Sequence, residues 1–181
     1  MARIDQVTPE QATGRAKQLL DAVQNQRGMT PNILQVMALS PNVLDAYLKF
    51  TGALGQTLSP RLREQIAVLV AQLNNCGYCL AAHTAAAKRA GIDESELQAN
   101  YQADSGDAKT KAALQFARIV TLERGQIRED DLRAVLLAGY SEQEVLEIIA
   151  HVALSVFTNY ISNTTKPDVE FPPVRPLAAA S

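Results

Sequence analysis

An all-α fold follows from three observations on this sequence. Apolar residues recur at helical spacing almost from end to end. No stretch of useful length alternates apolar and polar residues in the manner of a half-buried strand. A Thr or Ser followed by Pro, the pairing that caps and opens a helix, recurs at Thr8-Pro9, Thr30-Pro31, Ser40-Pro41 and Ser59-Pro60.

The elements can be placed in order. Thr8, Pro9 and Glu10 read as N-cap, first helical residue and acidic first turn of a helix running to about Gly28. Thr30-Pro31 opens a short helix to about Leu39, and Pro41 one to about Leu54. Ser59-Pro60 opens a helix with Leu62, Ile66, Leu69, Val70 and Leu73 at helical spacing, which then meets Asn74-Asn75, poor interior residues and good caps. Asn75 is expected to cap the next helix, with Cys76 its first residue, and Gly91 to stop it after Lys88 and Arg89. Later helices are expected over about 93–101, 107–124, 128–138 and 141–162. The segment from Leu58-Ser59-Pro60 to Tyr78 resembles the one from Tyr140-Ser141-Glu142 to Tyr160, with Thr158 and Ile161 where the cysteines would stand, a hint of duplication. From Lys166 onward, Pro167, Pro172, Pro173 and Pro176 forbid a helix, so the tail should cross the surface or a neighbouring subunit, with Ala178–Ser181 frayed.

Composition narrows the function. At 181 residues the chain suits a single domain over 1–181, burying roughly 70% of its unfolded surface without disulfide staples. It is 47% hydrophobic and 20% charged, with a formal net charge of −2 and a pI near 5.7, so it lacks the basic footprint of a nucleic-acid binder. The first ten residues have no apolar stretch with basic flanks, and no run approaches the roughly 20 apolar residues that span a bilayer. The expectation is a cytoplasmic protein with neither a membrane nor a nucleic acid as partner. In a reducing compartment a close Cys-x-x-Cys is catalytic, redox-sensing or metal-binding more often than a permanent bridge.

The only two cysteines, Cys76 and Cys79, lie with His83 in Asn74-Asn-Cys-Gly-Tyr-Cys-Leu-Ala-Ala-His83, and on a helix positions i, i+3 and i+7 share one face. A thiol is a useful nucleophile once ionised, and a helix N-terminus and an adjacent base both favour the thiolate. The His83 spacing favours Cys79 as the activated thiol and Cys76 as its resolving partner; the helix dipole alone would favour Cys76. Glu64 lies about as far before the Asn74-Asn75 turn as His83 lies after it, so antiparallel helices would bring the two within roughly 5 Å in level. It is either a carboxylate that orients the imidazole or a first-turn charge in solvent.

Other residues also carry two readings. Tyr78 is a proton donor or a packing residue at a helix start. His151, four residues after Glu147, reads best as a core histidine satisfied by that carboxylate. Asn159 and Asn163 suit capping or backbone binding, and Arg61 and Arg63 suit surface charges or contacts to an acidic partner. A thioredoxin-like reductase would need a strand before the motif in a βαβ unit. A zinc site would draw on Cys76, Cys79, His83 and either Glu64 or His151, a poor fit to the two separated ligand pairs of structural zinc. A thiol sensor would form the Cys76–Cys79 disulfide without turnover.

Glu64, eleven residues, Cys76-Gly-Tyr-Cys79, three residues and His83 together resemble the alkylhydroperoxidase D-like branch of the carboxymuconolactone decarboxylase superfamily. The likeness is strongest from about Pro41 to Leu122; Thr30-Pro-Asn-Ile-Leu, Phe157-Thr-Asn-Tyr and Asp168-Val-Glu-Phe-Pro172 resemble the longer, peroxidase-related members. The resemblance implies an all-helical bundle that assembles into trimers or hexamers. It also implies reduction of a hydroperoxide through a cysteine pair, with Cys79 attacking, Cys76 resolving, His83 relaying a proton and Glu64 behind it. An external dithiol, a lipoyl group or a thiol protein, would reduce the pair, with no metal or flavin cofactor. The best-known members carry a second histidine where this chain has Tyr78, and the superfamily's decarboxylases lack the cysteine pair, which argues against lactone decarboxylation.

Overall fold

A computed structural model describes residues 2–174. Nine α-helices and no strand are found among them: α1 (Gly14–Arg27), α2 (Asn32–Met37), α3 (Pro41–Leu54), α4 (Pro60–Leu73), α5 (Gly77–Arg89), α6 (Glu94–Asn100), α7 (Ala108–Leu122), α8 (Glu129–Leu137) and α9 (Glu142–Thr165). The absence of strands there removes the βαβ frame that a thioredoxin-like reading needs.

Helix α4 is the axis of the molecule. Every residue from Gln65 to Ala71 is buried, the pattern of a helix covered on all sides. It packs on α5, α7, α9 and α6 and divides the apolar interior in two. On one side Val68 and Ala71 join Leu20, Leu34, Leu44, Leu80 and Leu97. On the other, Ile66, Leu69 and Val70 join Leu114, Phe116 and Ile148. Gln65 is kept inside by donating to Glu96 Oε1 at 2.9 Å, an acceptor that also takes Asn100 and Ser105.

Caps explain most boundaries. Ser59 accepts from Leu62 N–H, Asp93 from Glu96 N–H and Asp107 from Thr110 N–H. Ser141 and Glu144 form a reciprocal capping box ahead of α9. The expected first helix is shorter than its sequence signature. Thr8–Ala12 close a turn on themselves, with Gln11 and Ala12 N–H reaching Thr8 O, and α1 starts afresh after the extended Thr13, at a left-handed Gly14 (φ 54°). Helix α9 outruns its expected end, reaching Thr165 before Lys166 turns left-handed.

Two further expectations are corrected. Helix α9 contains an 18-residue window of mean hydropathy 1.5, so among the described residues one helix is long and apolar enough to cross a bilayer by length and composition. Its Ile148, His151, Val152, Ser155 and Asn159 are buried inside the protein, the position of a core helix. The hint of duplication stops at the hairpin: α4 breaks before Cys76, whereas α9 runs unbroken through Thr158 and Ile161.

Past α9 the chain is extended and crosses the surface, with Asp168 O accepting from Asn32 Nδ2 at 2.9 Å. Pro176 and the expected fraying at Ala178–Ser181 lie outside the described residues.

Candidate active site

The site is built on the turn between α4 and α5. Asn74 ends α4, Asn75 is left-handed (φ 50°), Asn75 N–H reaches Gln72 O at 3.1 Å and Cys76 N–H reaches Ala71 O at 2.9 Å. These paired bonds form a Schellman ending, and asparagine is among the few side chains tolerated at its left-handed position. Asn75 therefore terminates α4 and does not cap α5, correcting the sequence expectation. Cys76 is itself the N-cap, not the first helical residue; its Sγ accepts the Cys79 N–H at 3.4 Å. Helix α9 holds the turn from behind, through Asn74 Nδ2 to Asn159 Oδ1 and Asn163 Nδ2 to Asn74 O, both 2.9 Å. Asn163 thus binds backbone as expected, and Asn159 binds a side chain.

Cys76 and Cys79 are joined as a disulfide, their Cα atoms 5.3 Å apart. Both are buried, at 0% and 3% exposure, but only Cys79 lines a cavity of about 290 Å³. Glu64 and His83 line the same cavity. His83 Nδ1 and Glu64 Oε2 are 2.9 Å apart, so the antiparallel α4–α5 hairpin brings the expected pair into direct contact. Burial pushes the Glu64 carboxyl up, but His83, with Arg63 and Arg89 nearby, outweighs it and holds the carboxyl below its ordinary range. With Nδ1 engaged by a carboxylate, Nε2 is the imidazole nitrogen left for proton exchange. Both residues also border a second cavity of about 230 Å³ beside Arg63 and His151.

Tyr78 has its phenol committed. The hydroxyl donates to Glu170 Oε1 at 2.7 Å and accepts from Ile33 N–H at 3.2 Å, while Phe171 packs edge-on at 5.7 Å between ring centroids. Burial pushes the phenol well above its ordinary pKa, and Glu170 adds to the shift. Glu170 also accepts Asn32 N–H at 2.9 Å, so the first two amides of α2 end on the tail carboxylate and the tyrosine. Glu170 and Phe171 were not assigned a role from sequence, because nothing local ties a tail carboxylate to a residue 92 positions earlier.

The remaining candidates are placed elsewhere. His151 is buried, as expected, but its partner is Thr57 Oγ1 at 3.1 Å; Glu147 instead accepts from Gln143. Thr57 Oγ1 also reaches Leu54 O at 2.8 Å, and the Leu54 backbone contributes to the surroundings of His151 as well. Burial, with Arg63 adding to it, lowers the His151 pKa. Arg61 and Arg63 close helix ends, Arg61 on Ala90 O and Gly91 O and Arg63 on Leu54 O and Gly55 O. Among the described residues, no group of three His, Cys, Asp or Glu is placed to hold a metal ion.

Comparison with known proteins agrees with this architecture. Residues 41–120 match the carboxymuconolactone decarboxylase family. An uncharacterized Bacillus subtilis (strain 168) protein, YdfG, is 29% identical over 90 residues, covering 48% of this chain and 61% of that protein, so the match spans under two thirds of the relative. Among solved structures, an uncharacterized peroxidase-related protein from Silicibacter sp. TM1040 is 26% identical, with a TM-score of 0.82 over 94% of this chain and 93% of that one. The alkylhydroperoxidase AhpD core of an uncharacterized peroxidase-related protein from Ralstonia eutropha JMP134 has a TM-score of 0.84 at 23% identity, covering 93% and 92%. The debrominase Bmp8, in complex with 2,3,4-tribromopyrrole, shares the fold at a TM-score of 0.75 and 20% identity, covering 94% of each chain. Over residues 41–120 the chain thus matches the carboxymuconolactone decarboxylase family, within an all-helical fold of the AhpD type.

Proposed function

We propose that this protein is a thiol-dependent peroxidase that reduces organic hydroperoxides with its Cys76–Cys79 pair and is recycled by an external dithiol. One observation carries the reading: Cys79 and the Glu64–His83 pair open onto one cavity, while Cys76 is bonded to Cys79 from behind it. That arrangement suits an attacking thiol that meets substrate and a resolving thiol that does not.

In the reduced protein the Cys79 thiolate attacks the terminal oxygen of the hydroperoxide. The O–O bond breaks, the alkoxide leaves with a proton passed from His83, and Cys79 becomes a sulfenic acid. Glu64 holds the imidazole through Nδ1 and balances its charge when Nε2 is protonated. Cys76 then attacks the sulfenic sulfur; hydroxide leaves, is protonated to water, and the disulfide closes. A lipoyl dithiol or a thiol protein reduces it by exchange through a mixed disulfide. The sum is hydroperoxide and dithiol to alcohol, water and a disulfide, with no cofactor. Tyr78, its proton tied to Glu170, acts as a positioning residue that holds the tail over the cavity rim.

The working unit is a homo-oligomer, a trimer or hexamer, in the cytoplasm. Supporting assembly, Leu146, Ile149 and Tyr160 share one exposed face of α9, Leu146 and Tyr160 at 68% and 64% exposure, with Phe157 beside them stacked on Tyr47.

Steady-state consumption of cumene hydroperoxide with dihydrolipoamide tests the reading. Turnover that disappears in Cys79→Ser is expected. Disulfide formation once per chain without turnover would replace the enzyme with a sensor, and dithiol oxidation independent of peroxide would make it a general disulfide oxidoreductase.

A further inference from the structure

The cavity in front of Cys79 has a direction. Cys79, Ala82, His83, Ala86 and Arg89 all line it, and these positions form one face of α5. Ten residues separate Cys79 from Arg89, about 15 Å at 1.5 Å per residue, shortened by an arginine side chain that leans towards the helix N-terminus. Cys79 begins this row and Arg89 ends it, with two alanines that leave room between them. Ile33 and Leu34 supply an apolar wall, and Arg27, the last residue of α1, adds a second guanidinium.

An arginine in a last helical turn ordinarily offsets the helix dipole. Here that duty is discharged by others. Arg61 already serves the carbonyls of Ala90 and Gly91 at the end of α5, and Lys88 pairs with Glu94 at 2.8 Å. At the end of α1, Gln24 Nε2 donates to Gly28 O at 3.1 Å. Neither Arg27 nor Arg89 makes an ion pair or hydrogen bond among the described residues. The one carboxylate lining the cavity, Glu64, is hydrogen-bonded to His83, and Arg89 acts on it only through space.

We propose that this cavity selects hydroperoxides that carry a carboxylate on a compact apolar body, with Arg27 and Arg89 receiving the carboxylate and the peroxide end lying at Cys79. The inference rests on the peroxidase reading for its reaction but not for its binding. The O–O bond breaks at Cys79 and the alcohol product leaves with its carboxylate intact. A cavity of about 290 Å³ is at the low end of small-molecule sites and suits a single ring or a medium-length chain.

The test uses matched pairs on the full chain. Turnover is compared for cumene hydroperoxide bearing a para carboxylate and for its methyl ester; binding to the disulfide form is compared by calorimetry for 4-isopropylbenzoate and its methyl ester. The acid is expected to be preferred by about tenfold in kcat/KM and in affinity at low salt, less as ionic strength rises, because both guanidiniums are solvent-exposed. In Arg27→Gln/Arg89→Gln, with folding verified by its melting curve, the acid-to-ester ratio should fall towards one. Equal handling of acid and ester by the wild type, or a preference untouched in the double variant, overturns the proposal while leaving the peroxidase reading standing. Tighter binding of the acid without turnover of either hydroperoxide removes the peroxidase reading and supports the carboxylate site.

Discussion

At the scale of single residues, the two sulfurs differ in what surrounds them. Cys79→Ser should abolish peroxide turnover, whereas Cys76→Ser should accumulate a Cys79 sulfenic acid that cannot close, read by intact mass after peroxide and a sulfenic-acid trap. Equal adducts in both variants would remove the role assignment. Serine is a favoured N-cap, so Cys76→Ser keeps the acceptor for Cys79 N–H and should fold normally. His83→Gln and Glu64→Gln should each slow peroxide attack by about 10²–10⁴, measured by stopped flow; unchanged rates would discard the relay. His151 makes a separate prediction in pH. Its folded pKa lies below its unfolded value near 6.5, so the unfolded chain binds the extra proton first. Its contribution to stability is whole above that value and is lost as pH falls through the folded one. The melting temperature of wild type should therefore drop more between pH 7 and 5 than that of His151→Gln, and parallel curves would contradict the burial argument.

At the scale of elements, the decisive piece is a three-residue junction that does two jobs. Asn75 ends one helix in a left-handed conformation and Cys76 begins the next. Asn75→Gly should be nearly neutral, and Asn75→Ala should cost about 1 kcal/mol in urea unfolding, since a Cβ is penalised there without the local hydrogen bonding asparagine offers. The sequence showed that two helices met here but not which residue belonged to which. Asparagine is a good N-cap and also a tolerated left-handed terminator, and composition alone does not separate the two. Thr8-Pro9 fails for a related reason: the cap signature is real, but the turn it opens ends at Ala12, and the extended Thr13 and left-handed Gly14 start the helix anew. The Glu64–His83 contact was legible because it depends only on rise per residue and an antiparallel turn.

At the scale of the whole molecule, what escaped the sequence is what long-range packing decides. The helical class and most helix positions follow from periodicity and caps, which are local. His151 finding Thr57 instead of Glu147, and Tyr78 finding Glu170, require knowing which loop and which tail arrive beside them. Assembly belongs to this scale too. Sedimentation should report a trimer or hexamer, and Leu146→Glu with Tyr160→Glu, both exposed on the protomer, should shift it to smaller species with little loss of protomer fold. A monomeric wild type would reject assembly through α9.

Tyr78 lies between the two cysteines in sequence, in a chain that contains no tryptophan and five tyrosines. A disulfide quenches the emission of a nearby aromatic ring, and this ring, next in sequence to Cys79, is held by Glu170 and Phe171. Ultraviolet-excited phenol light should therefore brighten when the pair is reduced and dim when it is oxidised, an optical gauge of its redox state that needs no attached dye.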